Sequence, residues 1–222
     1  MSTLDQIALS IELVLISVVE AVALTFLAEN AAPLLRDGAQ LIYVPYAIAG
    51  LLFILFFWSQ SILHAVSFIR WPLSLHRMFL YFVLAFIQAV AYSNLANPTM
   101  WFFWFSLFGL LGLGLYLLDL RIIRQSRRFF AHLPGGGEFM DEVERRHHYE
   151  LRVLVPAALL FNFAAFGLLV AFPAELSSGV VLRATLGILS ALFAAGALID
   201  CMANFDKRSA LIAKLFASPP SG

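Results

Sequence analysis

The sequence predicts an all-α protein: a polytopic transmembrane bundle of six helices, both termini inside, with a cytoplasmic helical hairpin between the fourth and fifth. Three observations carry this. Of 222 residues, 62% are hydrophobic and only 13% charged, whereas a soluble domain carries roughly 25% charged residues. Six apolar stretches are long enough to cross a bilayer, which takes about 20 residues. The basic residues are unevenly placed, and seven of the fourteen Lys and Arg fall between Arg121 and Arg152.

The expected spans are residues 7–28, 41–68, 78–95, 100–120, 151–172 and 180–203, within a single domain of residues 1–222. The first connection holds Pro33, Arg36, Asp37 and Gly38, and the second, IRWPLSLHR, holds Arg70, Pro72, His76 and Arg77. The third is the tight turn ANPT around Pro98, and the fifth is PAELSSG from Pro173 to Gly179. The tail carries Lys207, Arg208 and Lys214 and ends in SPPSG. With six spans, the termini and the second and fourth connections share one side. That side carries twelve of the fourteen basic residues, leaving Arg36 and Arg183 opposite. Cytoplasmic loops are enriched in Lys and Arg, so this side is expected to be cytoplasmic. Trp71, Trp101, Trp104 and Tyr43 fall near span ends, as an aromatic belt requires.

The polar segment 121–150 is too charged for hydrocarbon and is expected as a basic cytoplasmic loop with internal structure. The fourth helix is expected to continue through IIRQSRRFFAHL and to break at ProGlyGlyGly, 134–137. A new helix starts near Met140, where Asp141, Glu142 and Glu144 suit an N-terminal turn. It then feeds into the fifth span. A surface-lying basic hairpin held by anionic lipid is one reading of this segment, and partner docking is another.

Net charge is zero, which implies no nucleic-acid partner, and the single Cys201 excludes an internal disulfide. The N-terminal stretch lacks the basic region and cleavage site of a signal peptide. No Cys/His cluster has zinc spacing, and no Walker, HExxH or GxSxG motif occurs, so neither a metal, a cofactor nor an enzyme is expected.

Ionisable groups inside a span are costly, so each marks a candidate site. Glu20 lies mid-span in the first helix. Glu12 precedes it by eight residues, roughly 80° away at about 100° per residue, and Ser17 lies close to the same side. Glu12, Ser17 and Glu20 are the candidates for a pore, proton or cation path. Gln88 and Asn162 sit near mid-depth in the third and fifth spans, where single amides commonly join helices by hydrogen bonds. Gln60 and His64, four apart, share a face of the second helix near its cytoplasmic end. His64 could titrate or ligate a haem or metal, or simply be structural. Asp119 and Asp200 are expected in headgroup-level ion pairs with Arg121 and Arg124, and with Lys207 and Arg208. Gly109, Gly112 and Gly114, and the AAGA run at 194–197, permit close helix approach within or between subunits.

Three stretches resemble the prokaryotic relatives of the six-helix endolysosomal potassium channel family. They are SVVEAVALTFLAE at 17–29, the Trp58-to-His64 pair, and the Pro-bearing RVLVPAALLFNFAAFGLLVAFPAELS at 152–177. That family's Phe-Ser-Asp motif is absent, with Ser17 its nearest counterpart and Glu20 the acid at a different offset. The resemblance implies a tetramer whose first helix lines a pore, placing Ser17 and Glu20 on the lining. The expectation is a homo-oligomeric cation channel, potassium among its ions, in a bacterial inner membrane. The rivals are a structural or anchoring subunit of a larger complex, a small-solute transporter, and a redox or lipid-modifying enzyme.

Overall fold

The computed structural model describes residues 3–67, 75–172 and 179–217. Arg70, Trp71 and Pro72 of the second connection, residues 173–178 of the fifth, and the terminal SPPSG lie outside them. So do the side chains of Glu12, His76, Arg77, Phe129 and Lys214.

Among the described residues the chain is helical, without strands. In order, the helices are α1 (Thr3–Arg36), α2 (Val44–Ser67), α3 (Leu75–Tyr92), α4 (Pro98–Phe130), α5 (Gly136–Tyr149), α6 (Val155–Ala171) and α7 (Val180–Ala217). A 3-10 turn, Gly38–Tyr43, leads into α2, and a π-helical turn, Glu150–Leu154, joins α5 to α6. Five stretches are long and apolar enough to cross a membrane: Leu13–Arg36, Gln40–His64, Pro98–Arg128, Gly136–Ala171 and Val180–Ala213. The apolar helix Phe79–Tyr92 is shorter. The protein is thus a multi-pass, all-helical membrane protein.

Helix α2 packs most extensively on α7, while α4 is flanked by α3 and α6, and α1 leans on α2 and α3. Two close approaches fix this arrangement. Gly50 on α2 leaves room for Leu27 and Tyr92, where a Cβ would come within 2.9 Å of both. The backbone carbonyl of Gly50 also accepts the Tyr92 hydroxyl at 3.0 Å.

One end of the bundle is filled with aromatic rings. Trp101 stacks at a tilt on Phe105 (4.5 Å), Tyr46 meets Trp101 edge-on (5.5 Å), and Phe53 stacks on Phe105 (5.0 Å). Rings this close gain quadrupolar attraction beyond their dispersion contacts. Ala23, Ala49, Ala165 and Ala194 complete this core from four helices, their short side chains letting the backbones approach.

At the other end α4 runs on past the apolar stretch and turns back. Gly135 takes φ 75°, and a Cβ on Gly136 would sit 2.0 Å from the Phe130 carbonyl oxygen. Only glycine fits both the left-handed backbone and the close return. The returning α5 buries Phe139, Met140 and Val143 against Ile122, Ile123 and Phe130. Arg127 binds Asp141 at 2.6 Å and also Glu144, while Lys207 of α7 reaches Glu142 at 2.9 Å. The expected hairpin is therefore present as α4 and α5, with α5 beginning four residues before Met140. Its basic flank faces α5 carboxylates as well as solvent.

The π turn has a local cause. Pro156 has no N–H for the Arg152 carbonyl, and its ring crowds that position. The ladder slips by one residue just before it, so Val155 N–H bonds the Glu150 carbonyl, five residues back. Such turns recur at functional sites, and this one begins at Glu150.

Candidate functional site: a buried polar seam in the bundle

Glu20 turns from α1 into the bundle. It lines a cavity of ≈ 40 Å³ together with Gln60, Ser61, His64 and Gln88, walled by Phe57, Leu84, Phe108 and Tyr116. That is room for about three waters on the rule of ~10–15 Å³ each. Glu20 Oε2 is shielded and has no hydrogen-bond partner among the described residues. Four polar residues singled out in the sequence, Glu20, Gln60, His64 and Gln88, thus share one space although they come from three helices.

Ser17 lies elsewhere. It is exposed on the outer face of α1, and its hydroxyl donates to the Leu13 carbonyl at 2.9 Å. Thr25 does the same to Ala21. Gln88 is committed to structure as well as to the cavity: its amide donates to the Tyr92 hydroxyl at 2.7 Å, which in turn donates to Gly50. Asn162 sits apart from Glu20. Its amide donates to the Ala158 carbonyl, and it borders a second, almost wholly apolar cavity of ≈ 70 Å³. Phe57, Phe108, Gly112 and Tyr116 line both cavities.

Beyond His64 the polar interior continues into a cluster that the linear sequence does not display. His64 Nδ1 lies 3.5 Å from Asp119 Oδ2, with the Asp119 side chain 1% exposed. Gln60 Nε2 donates to Glu150 Oε1 at 3.0 Å. Arg146 Nε donates to the same oxygen at 2.7 Å, and the far end of that guanidinium pairs with Asp200 on α7. Arg146 also lies over the Tyr149 ring. His147 Nε2 is 2.9 Å from the Tyr116 carbonyl oxygen, and its ring stacks on Tyr116 at 5.4 Å. His64 meets the same Tyr116 ring edge-on. Glu150 is fully buried, and its Oε2 has no hydrogen-bond partner among the described residues.

The two expected headgroup ion pairs are therefore arranged differently. Asp119 turns inward to His64, and Asp200 takes Arg146 from across the bundle. The chain brings α5 back against α4 and α7, so cations arrive from the returning helix as well as from neighbours in sequence. His147 and Glu150 read as loop residues when the segment is taken as a loop. Read as a helix, HHYE places His147 and Glu150 three apart on one face, and that spacing is the signal that finds them.

No protein-family model matches the chain, and neither a curated protein nor a solved structure is detectably similar to it. The functional reading rests on the residues alone.

Proposed function

We propose that this membrane protein passes a cation, and that the path runs through the interior of the chain by way of Glu20. The observation that carries the reading is the Glu20 carboxylate. It faces a small, mostly apolar cavity inside the first span, with one oxygen unpaired among the described residues. An uncompensated carboxylate in such surroundings is costly and calls for a cation or a proton beside it. Gln60, Ser61, His64 and Gln88 offer oxygen and nitrogen ligands along the same space. The seam then leads by His64 and Asp119 towards the basic end of the bundle. By the charge bias this end is cytoplasmic, in a bacterial inner membrane with both termini inside.

A second reading places the path outside the chain, between copies. It is favoured by the exposed face of α1, where Ser17 and Thr25 stand among the exposed Val14, Val18 and Val22. A homo-oligomer with α1 lining a shared pore, as the resemblance to the potassium channel relatives implies, would use that face.

The test is ion flux in proteoliposomes, with potassium, sodium and proton gradients each compared against empty vesicles. The interior path requires Glu20→Gln to abolish or strongly reduce flux at unchanged folding, with Ser17→Val nearly silent. The pore between copies requires the reverse. A folded, inserted protein without flux under any gradient would transfer the reading to an anchoring subunit of a larger complex.

A further inference from the structure

The side chains of His64, His147 and Glu150 place one potential ligand atom each within 4.8 Å of one another, and all three residues are buried. We propose that they form a binding site for one divalent transition-metal ion of the zinc class. The site shares His64 with the path through Glu20 but does not rest on that path.

The donor set is right for such an ion. Two imidazoles and a carboxylate suit zinc and its neighbours, with bonds of about 2.0–2.2 Å. Ligand atoms spaced as these are need only small side-chain movements to close on an ion. Three protein ligands leave a fourth position for water, and the cavity that His64 lines lies beside it.

The outer contacts make the stronger argument. A metal-bound histidine usually gives its second ring nitrogen to a carboxylate or a backbone carbonyl, which fixes the ring and its tautomer. His147 is held in that way, and His64 has a carboxylate beside it at a longer distance. His147 Nε2 faces the Tyr116 carbonyl at 2.9 Å, and a carbonyl only accepts, so Nε2 carries the proton and Nδ1 keeps its lone pair. His64 Nδ1 lies 3.5 Å from Asp119 Oδ2, close enough for that carboxylate to orient the ring. Glu150 is held likewise. Gln60 and Arg146 fix Oε1, while Oε2 is buried with no hydrogen-bond partner among the described residues.

The charge balance admits a cation. Arg146 stands next to Glu150, but Asp200 already pairs with it. The carboxylates of Asp119, Glu150 and Asp200 outnumber the guanidiniums of Arg146 and the buried Arg208. The α-helical spacing of three residues sets this carboxylate one turn from His147.

The experiment uses the full chain in lipid nanodiscs, freed of affinity tag and stripped of metal by chelator, titrated with zinc chloride and with cobalt chloride. One equivalent per chain is expected, with visible d–d bands for cobalt. His64→Ala and His147→Ala should each remove that equivalent, and Asp119→Asn should weaken it by about 10- to 100-fold. X-ray absorption of the zinc-loaded wild type should report two imidazoles, a readout that stands even if the variants fold poorly. A folded wild type that binds no zinc overturns the site. So does zinc binding that persists in the folded double histidine variant, or a zinc shell without imidazole. Flux measured on the metal-stripped protein keeps the two readings apart: no flux there overturns only the path, and flux from a protein that binds no zinc in the titration overturns only the site.

Discussion

At one end of the bundle Tyr46, Tyr92, Trp101, Phe102 and Phe105 fill the interior, and the polar atoms of these five side chains are two hydroxyls and one indole N–H. At the other end, α2 and α4 bring His64 and Asp119 into the interior, where α5 and the π turn add Arg146, His147 and Glu150. Both Tyr hydroxyls at the aromatic end are satisfied, by Gly50 and by the Arg183 carbonyl. At the polar end Glu150 keeps an unpaired oxygen among the described residues. A bundle that needed only to be stable could be aromatic throughout, because apolar replacements for buried ion pairs are often neutral or stabilising. On the proposed function, the aromatic end supplies stability and the polar end the chemistry.

The sharpest way to break that division is to cut into the aromatic end. Trp101 is almost fully buried and touches Tyr46, Tyr92 and Phe105. Trp101→Ala should cost about 4 kcal/mol, the range expected for removing a buried large aromatic. Unfolding in mixed micelles of increasing denaturing-detergent fraction measures it. Zinc binding and flux should survive at temperatures where the variant stays folded. Loss of either function in a folded Trp101→Ala protein would mean that the two ends are coupled.

Next in size is the polar end itself. Glu150→Ala leaves the buried Gln60 amide without its acceptor and Arg146 with Asp200 alone, at a cost of about 2 kcal/mol, the range for a buried donor left unsatisfied. The informative companion is Glu150→Leu with Arg146→Leu, which removes both charges. Asp200, with its side chain 38% exposed, can turn to solvent. The double variant should therefore recover part of the lost stability while still failing to bind zinc. If it is as unstable as Glu150→Ala, the pair holds the fold and the division fails.

Much of this fold was legible in the sequence, and the reason is physical. Backbone groups in lipid must be satisfied within the segment, so long apolar runs have almost no alternative to helix. The five long apolar stretches, the break before Gly136 and the helix leading into the fifth span all follow from local composition. The third segment, whose described apolar helix runs only Phe79–Tyr92, shows where length alone stops deciding. The site was half legible. Glu20, Gln60, His64 and Gln88 stand out because each is polar in an apolar run, and they do share a cavity. Arg146, His147 and Glu150 do not stand out, because they sit in a stretch that is polar throughout. Their burial comes from the return of α5 onto α4 and α7, a tertiary event set by Gly135, Gly136 and the apolar face of Phe139, Met140 and Val143. The three-residue spacing puts His147 and Glu150 on one helix face, but only the return of α5 decides that this face turns inward.

The smallest effect tests the seam where the two ends meet. Gln88, Tyr92 and Gly50 form a hydrogen-bonded relay from α3 to α2, and Gln88 also borders the Glu20 cavity. Tyr92→Phe removes the hydroxyl but keeps the ring packed beside Trp101 and Phe105. Interhelical hydrogen bonds in membranes are weak, because the separated helices find other partners, so the loss should be about 1 kcal/mol. The freed Gln88 amide can turn towards Glu20 and compete with a cation for its carboxylate. Tyr92→Phe should therefore lower flux more than its small effect on stability would suggest, and Tyr92→Phe with Gln88→Leu should restore part of it. Measuring both variants in the same flux and unfolding assays separates the two roles. A loss of flux that only tracks the loss of folded protein would leave Gln88 as a strut between helices and no more.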